Sequence, residues 1–280
     1  EAIKRAGGNV ETYVSDPNTY EIQAREALRK RFGIRARPLD KTENYVKRCV
    51  ALPGETIAAE DGRIFIDGEV LEPPTGIQYE YKITFPTPME KRRAFKGLGL
   101  TNIDGSMENR ALETVWALTE EEKAQLENSG MVTTIERVDL SYRRGRLEMF
   151  PNAYIPEFNE WDPDNFGPIT LPQRNMTIEL TPRNIALYRR AISTYEGHNL
   201  DVIGDQVFID GQSVSTYTFD LNYYWMMGDN RHRSADSRMW GFVPETHIVG
   251  RASFVWFSKQ NAEQHGESKI RWSRMFKRVK

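Results

Sequence analysis

The chain is poor in the residues that most often advertise chemistry. It has one cysteine, Cys49, which excludes an internal disulfide and a thiolate-rich metal site. Its four histidines, His198, His232, His247 and His265, are scattered without HExxH spacing, so no metal is expected, and no motif calls for a cofactor. An excess of charge of one sign is lacking too. Lys plus Arg number 38 against 40 Asp plus Glu, a formal net charge of −2, which argues against nucleic acid as a partner. No apolar run approaches the roughly 18 to 20 residues needed to cross a bilayer. The longest candidates are short pieces such as FVWF at 254–257. The opening EAIKRAGGNVE has neither the charged nor the apolar region of a secretory signal, and the chain reads as a piece of a longer protein.

What is present is mostly strand and turn. A first helix is expected from Thr19 to Phe32, where Ile22, Ala24, Ala27 and Leu28 recur at near-helical spacing and Gly33 supplies a stop. After it, YVKRCVAL at 45–52 is a short strand closed by Pro53-Gly54, and RIFIDGEVL at 63–71 is two strands around an Asp67-Gly68 turn. The same hairpin pattern returns in GDQVFIDGQSV at 204–214. Between them lie two helix signatures: a capping box over Thr119 to Glu122 leading to Gly130, and Thr181-Pro182 ahead of Ile185, Tyr188, Ile192 and Tyr195. The expected fold is mainly β, an antiparallel β-sheet core with a large inserted α+β lobe. Its expected parts are a helical lead-in at 1–33, a discontinuous β core at 34–74 and 203–280, and an inserted α+β domain at 75–202.

The segment YYWMMGDNRHRSADSRMW at 223–240 places eleven largely polar residues between two apolar ends. His232 lies between Asp229 and Ser234. A Ser-His-Asp relay normally draws on separate elements, so His232 is read as a solvated loop residue. In the strand at 45–52, alternation would put Lys47 on one face with Tyr45, Cys49 and Ala51, and Arg48 on the other with Val46 and Val50. Taking a lysine out of water favours the neutral amine, the form that accepts a proton, and this would make Lys47 a general base. The competing reading is an edge-strand lysine that keeps its ammonium in water.

Taken together, VKRCVALPGETI, GRIFIDGEVLEP and MMGDNRHRSADSRMWGFVPETHIVGRA resemble the bacterial type I signal peptidases (leader peptidases), membrane-anchored serine proteases that use a Ser-Lys dyad. NFGPITLP at 165–172 resembles a further family segment. The likeness covers 44–74, 163–180 and 203–252. It implies that Lys47 is the general base and that Ser234 orients it. It further implies that Asn44, Tyr45 and Val46 form the strand along which an extended substrate lies. Arg48, Asp229, Asp236 and Arg238 would then support the site by ion pairing, and Gly228 and Asn230 would form the turn. His232-Arg233 departs from the pattern, since the family commonly has an Asp-Asn pair there.

The family's nucleophilic serine sits in a Ser-Met-x-Pro motif ahead of the lysine, just after a transmembrane helix. Ser106-Met107 follows Lys47 and lacks the proline, and Ser15 in VSDPN reads as a turn residue. Nucleophile and anchor are therefore expected upstream of residue 1, and the piece itself is expected to be catalytically incomplete. The resemblance implies cleavage of signal peptides from exported preproteins with small residues near the scissile bond. It places the protein at the bacterial cytoplasmic membrane with its catalytic domain on the outer side. The alternatives are a non-catalytic peptide-binding relative and a self-cleaving Ser-Lys peptidase. The C-terminal KIRWSRMFKRVK is read either as touching lipid headgroups or as a docked amphipathic tail.

Overall fold

The computed structural model describes residues 44–99, 111–144, 148–153, 155–259 and 270–279, together with Ala27, Lys30 and Arg31. The chain divides into two compact units, Glu1–Tyr45 and Val46–Lys280. In the first unit Ala27, Lys30 and Arg31 are helical, and the rest of the helix expected at 19–32 lies outside the described residues. Ser15, Ser106 and Met107 lie outside them as well.

The second unit is built from short strands. In chain order these are β1 (Arg48–Ala51), β2 (Thr56–Glu60), β3 (Arg63–Ile66), β4 (Glu69–Val70), β5 (Gln78–Thr84), β6 (Glu113–Thr119), β7 (Thr134–Arg137), β8 (Phe166–Thr170), β9 (Thr177–Glu179), β10 (Leu200–Ile203), β11 (Gln206–Ile209), β12 (Gln212–Val214), β13 (Thr216–Thr218), β14 (Tyr223–Met227), β15 (Val243–Pro244), β16 (Phe254–Val255) and β17 (Lys277–Arg278). Every pairing between these strands is antiparallel, and the sheets run β1-β14-β15, β4-β3-β2-β8, β6-β5-β7 and β10-β11-β12, with two-stranded pairs β9-β13 and β16-β17. The fold is mainly β, as its alternating sequence and turn punctuation predict.

Local chemistry explains the hairpins. Asp67 and Gly68 both have positive φ, 51° and 85°, and Asp210 and Gly211 repeat this at 51° and 80°. Two consecutive left-handed residues form the tight turn whose twist matches antiparallel strands, and Asp-Gly adopts it at low cost. Helices α1 (Pro88–Gly97), α2 (Glu120–Asn128) and α3 (Pro182–Arg190) begin at threonine caps, and at α2 the capping box of Thr119 with Glu122 is formed in both directions. A short α4 (Ser237–Trp240) starts at Asp236, whose carboxylate accepts the Arg238 amide.

Two apolar clusters fill the unit. The larger takes Val50, Ala51 and Ile57 from the first strands, Phe166, Ile169, Leu187 and Ile192 from the middle of the chain, and Tyr223, Trp225 and Met227 from β14. The smaller gathers Tyr81, Ile83, Phe85, Phe95, Leu118 and Leu126. The insertion expected at 75–202 therefore divides. Its first part, from Tyr79 to Ile135, has a core of its own, whereas residues after Phe150 pack into the same core as β1. Along β14 the buried residues alternate, and Trp225 is 1% exposed. Burying a side chain of this size contributes roughly 1.5–3 kcal/mol, so the entry to the 228–236 loop is firmly held.

Candidate functional site

Strand β14 delivers the polar loop to the end of β1. The two strands pair Arg48 with Met227 and Cys49 with Met226, and a register shift between Cys49 and Ala51 interrupts the pleat. Because of that shift, Val50 and Ala51 are both buried and Cys49 is exposed. The simple alternation expected over 45–52 does not hold. The strand begins at Arg48, and Asn44, Tyr45 and Val46 ahead of it are exposed, Tyr45 at 74% and Val46 at 80%.

Lys47 lies immediately before β1, where its Nζ donates to Ser234 Oγ at 2.7 Å. This contact joins residues 187 apart in the chain. Gly228 makes room for it. A Cβ at that position would stand 2.2 Å from Ser234 Oγ, 2.7 Å from Ser234 Cβ and 3.4 Å from Lys47 Nζ. The residue must be glycine for the loop to fold this closely onto the lysine.

Behind the pair is a buried ionic knot. Asp236 is 0% and Arg238 2% exposed. Asp236 Oδ1 accepts Arg238 Nε at 2.9 Å, and its Oδ2 accepts Arg238 Nη2 at 2.8 Å and the Gly228 amide at 3.0 Å. Burial alone would push the Asp236 carboxyl up. The Arg238 guanidinium, the Gly228 amide and a hydrogen bond from Ser234 outweigh it and hold the group below the ordinary carboxylate range. Arg238 also donates to the carbonyls of Arg231 at 2.5 Å and Pro163 at 3.3 Å, so one cation ties the middle of the loop to the chain just ahead of β8. On the β1 side, Arg48 forms a two-pronged pair with Asp229, 2.9 Å at each contact.

Asn230 closes the turn as the residue before a short 3-10 segment at Arg231–Arg233, and it bridges to Gln78 in parallel fashion. His232, expected to be solvated, is not. Its side chain is 0% exposed, packed edge-on against Tyr79 at 5.3 Å between ring centroids, because the first residues of β5 cover the loop tip. Several partners carried no mark in the sequence. Ser237 Oγ accepts the Met226 amide at 2.9 Å, and Asp164 meets His232 Nε2 at 3.0 Å and Arg137 Nη2 at 2.7 Å. The nearest sequence signal for Asp164 is its position one residue before NFGPITLP.

Chemically, the arrangement is a lysine amine hydrogen-bonded to a serine hydroxyl, with a neighbouring carboxylate whose charge is already matched by arginine. Among the described residues no group of His, Cys, Asp or Glu side chains could hold a metal ion.

Comparison with known proteins places the chain. The family model described as signal peptidase, peptidase S26 matches residues 14–127 and 212–257. Signal peptidase I of Haemophilus influenzae is 32% identical over 105 residues, 37% of this chain and 29% of that protein. Signal peptidase I of Helicobacter pylori is 34% identical over 93 residues, 30% of this chain and 32% of that protein, and that of Aquifex aeolicus is 56% identical over 36 residues. The matched stretch spans less than a third of the length of the first two of these relatives. The family model covers more than half of the chain, including Lys47 and the whole 228–240 loop, and on that ground the chain belongs to the signal peptidase, peptidase S26 family.

Proposed function

We propose that Lys47 is the general base of a Ser-Lys endopeptidase that removes signal peptides from exported preproteins, with Ser234 as the residue that orients it. The observation that carries this reading is the 2.7 Å contact between Lys47 Nζ and Ser234 Oγ in a chain of the peptidase S26 family. In the full protein a serine hydroxyl ahead of Lys47 attacks the scissile carbonyl carbon, and the neutral Lys47 amine takes its proton. The tetrahedral intermediate then collapses with cleavage of the C–N bond, and Lys47 returns the proton to the leaving amine. Water attacks the resulting ester, again losing a proton to Lys47, and as the ester C–O bond breaks Lys47 passes that proton to the serine oxygen, releasing the carboxylic acid and the free serine. Ser234 fixes one direction of the amine, so that its lone pair meets the attacking hydroxyl. The exposed Asn44, Tyr45 and Val46, directly ahead of Lys47 in the chain, would line the extended preprotein.

The experiment is incubation of the full-length protein in membranes with a secretory preprotein. A shortened mature product is expected. Binding of the preprotein without shortening would instead favour a peptide-binding relative. Gly228→Ala bears on the same reading, since the new methyl group must displace Ser234. A reactive group misplaced by about 1 Å can lose about a hundredfold in rate, and preprotein cleavage by this variant should fall by about that factor, with the overpacked loop also costing about 1–3 kcal/mol of stability. Cleavage at the wild-type rate would remove the orienting role from Ser234.

The same reading sets the domain against the outer face of a bacterial membrane. No helix among the described residues is long and apolar enough to cross one. The β16-β17 hairpin and its flanks, however, expose Phe254, Trp256, Trp272 and Phe276, of which Trp256 is 71% and Trp272 73% exposed. Arg251, Lys259, Arg271, Arg274, Lys277 and Arg278 belong to the same two stretches, and residues 251–259 and 270–279 contain no acidic side chain. Exposed tryptophans with apolar phenylalanines among cations suit an anionic headgroup layer. The chain should therefore sediment with anionic vesicles, and the Trp256→Ala, Trp272→Ala double variant should release it. Equal sedimentation of variant and wild type would count against this surface.

A further inference from the structure

The departure from the family pattern at His232-Arg233 has partners of its own. His232 is held at both ring nitrogens. Its Nδ1 accepts the Glu80 amide of β5 at 3.2 Å, and its Nε2 faces Asp164 Oδ2 at 3.0 Å. A nitrogen that accepts an amide hydrogen carries none itself, so the ring hydrogen that these contacts call for is the one on Nε2, donated to Asp164. Arg233 Nε pairs with the Glu80 side chain at 2.5 Å. Two residues earlier in β5 and three earlier in the loop than the Glu80–His232 contact, the Gln78 amide donates to the Asp229 carbonyl at 2.8 Å. Three successive links therefore sew the loop to the start of β5.

That strand is a firm anchorage. It pairs with β6 from Gln78 to Thr84 and with β7 from Tyr81 to Thr84, over the smaller apolar cluster. Arg137 at the end of β7 completes the seat, with its guanidinium 4.1 Å from the Tyr79 ring centroid, Nη2 2.7 Å from Asp164, and Nη1 donating to the Asp61 carbonyl at 2.9 Å. The charges match the residues present. A carboxylate at 232 would set an acid against Asp164 and an amide at 233 would leave the Glu80 carboxylate without a cation, whereas an imidazole N–H and a guanidinium complement the two.

We propose that His232 and Arg233 are positioning residues that fasten the 228–234 loop to β5, so that the sheet β6-β5-β7 sets the aim of Ser234 on Lys47. Ser234 follows this tether directly, and its distance to Lys47 is fixed only as well as the loop is. The role in catalysis rests on the peptidase reading. The tether itself does not.

His232→Ala, made in the full-length protein, separates the two. A hydrogen bond to a charged group and one to a backbone amide are lost together, enough for a tenfold effect or more on local opening, about the scale of such bonds. Amide exchange at Glu80 and at residues 229–234 should therefore accelerate by about tenfold or more, with β2 and β3 unchanged. The kcat for preprotein cleavage should fall by about tenfold at unchanged KM. His232→Asn, whose amide oxygen reaches near the place of Nδ1, should restore protection at Glu80 and part of kcat. Arg233→Ala, at a half-exposed side chain that the fold tolerates losing, should act in the same direction with a smaller effect. Unaltered exchange at 229–234 in His232→Ala would overturn the proposal. So would a uniform loss of protection across the chain with kcat intact. Faster local exchange in a protein that cuts no preprotein would support the tether and count against the peptidase reading instead.

Discussion

Lys47→Ala in the full-length enzyme should lower preprotein cleavage by about a thousandfold or more while the protein melts within a few degrees of wild type. The first expectation follows from chemistry. A positioned general base contributes roughly 10²–10⁴ in rate, and a serine hydroxyl without one is a weak nucleophile at neutral pH. The second follows from position. Lys47 stands before β1 rather than in the core, and its bond to Ser234 carries the modest net stability of about 1 kcal/mol typical of one hydrogen bond. Lys47→Arg sharpens the test, because guanidinium can still donate to Ser234 but cannot accept a proton at any accessible pH. It should be as inactive as alanine. Cleavage assays beside thermal melts read both expectations, and substantial activity in either variant would remove the base assignment.

Asp236→Ala should be the most destabilising single change at the site. Asp236 and Arg238 are both sealed from solvent, and breaking a buried pair leaves one charge uncompensated at a cost of about 3–5 kcal/mol. For a unit of this size that lowers the melting temperature by roughly 10 °C. Replacing both partners together with apolar residues should cost less than the sum of the two single changes, since no orphaned charge remains. The pH dependence has a definite sign. The folded Asp236 carboxyl lies below its ordinary value, so its contribution is complete above the unfolded pKa and disappears as pH falls through the lower folded one. Wild-type stability should therefore drop on acidification below about pH 4 more steeply than that of Asp236→Ala, as denaturant melts across that range would show. Parallel pH profiles would assign the knot no such role.

Much of this architecture is written locally. The Asp-Gly turns, the Thr119 capping box and the alternating Tyr223, Trp225 and Met227 each follow from residue chemistry acting over a few positions. The pairing of Lys47 with Ser234, 187 residues apart, has no local signal and came from resemblance to a family motif. Three features escaped for physical reasons. The bulge after Cys49 depends on how β1 meets β14, which alternation along one strand does not encode. The division of the inserted region depends on which apolar faces find each other, and residues after Phe150 found the main core. His232 looked like a loop residue because the side chains that enclose it, Tyr79, Asp164 and Arg137, are distant in the chain and unremarkable singly.

The most direct measurement of the central claim rebuilds the amine at position 47 chemically. Cys49 is the sole cysteine of this chain, so in the full-length protein Lys47→Cys with Cys49→Ser, and any cysteine outside this chain likewise made serine, offers one target thiol. That variant should not cleave preprotein, and alkylation with 2-bromoethylamine, which restores an amine at nearly the length of lysine, should recover cleavage. A variant that cleaves before treatment, or one that stays inactive after alkylation shown to be complete by mass spectrometry, would contradict a role for the Lys47 amine as the base.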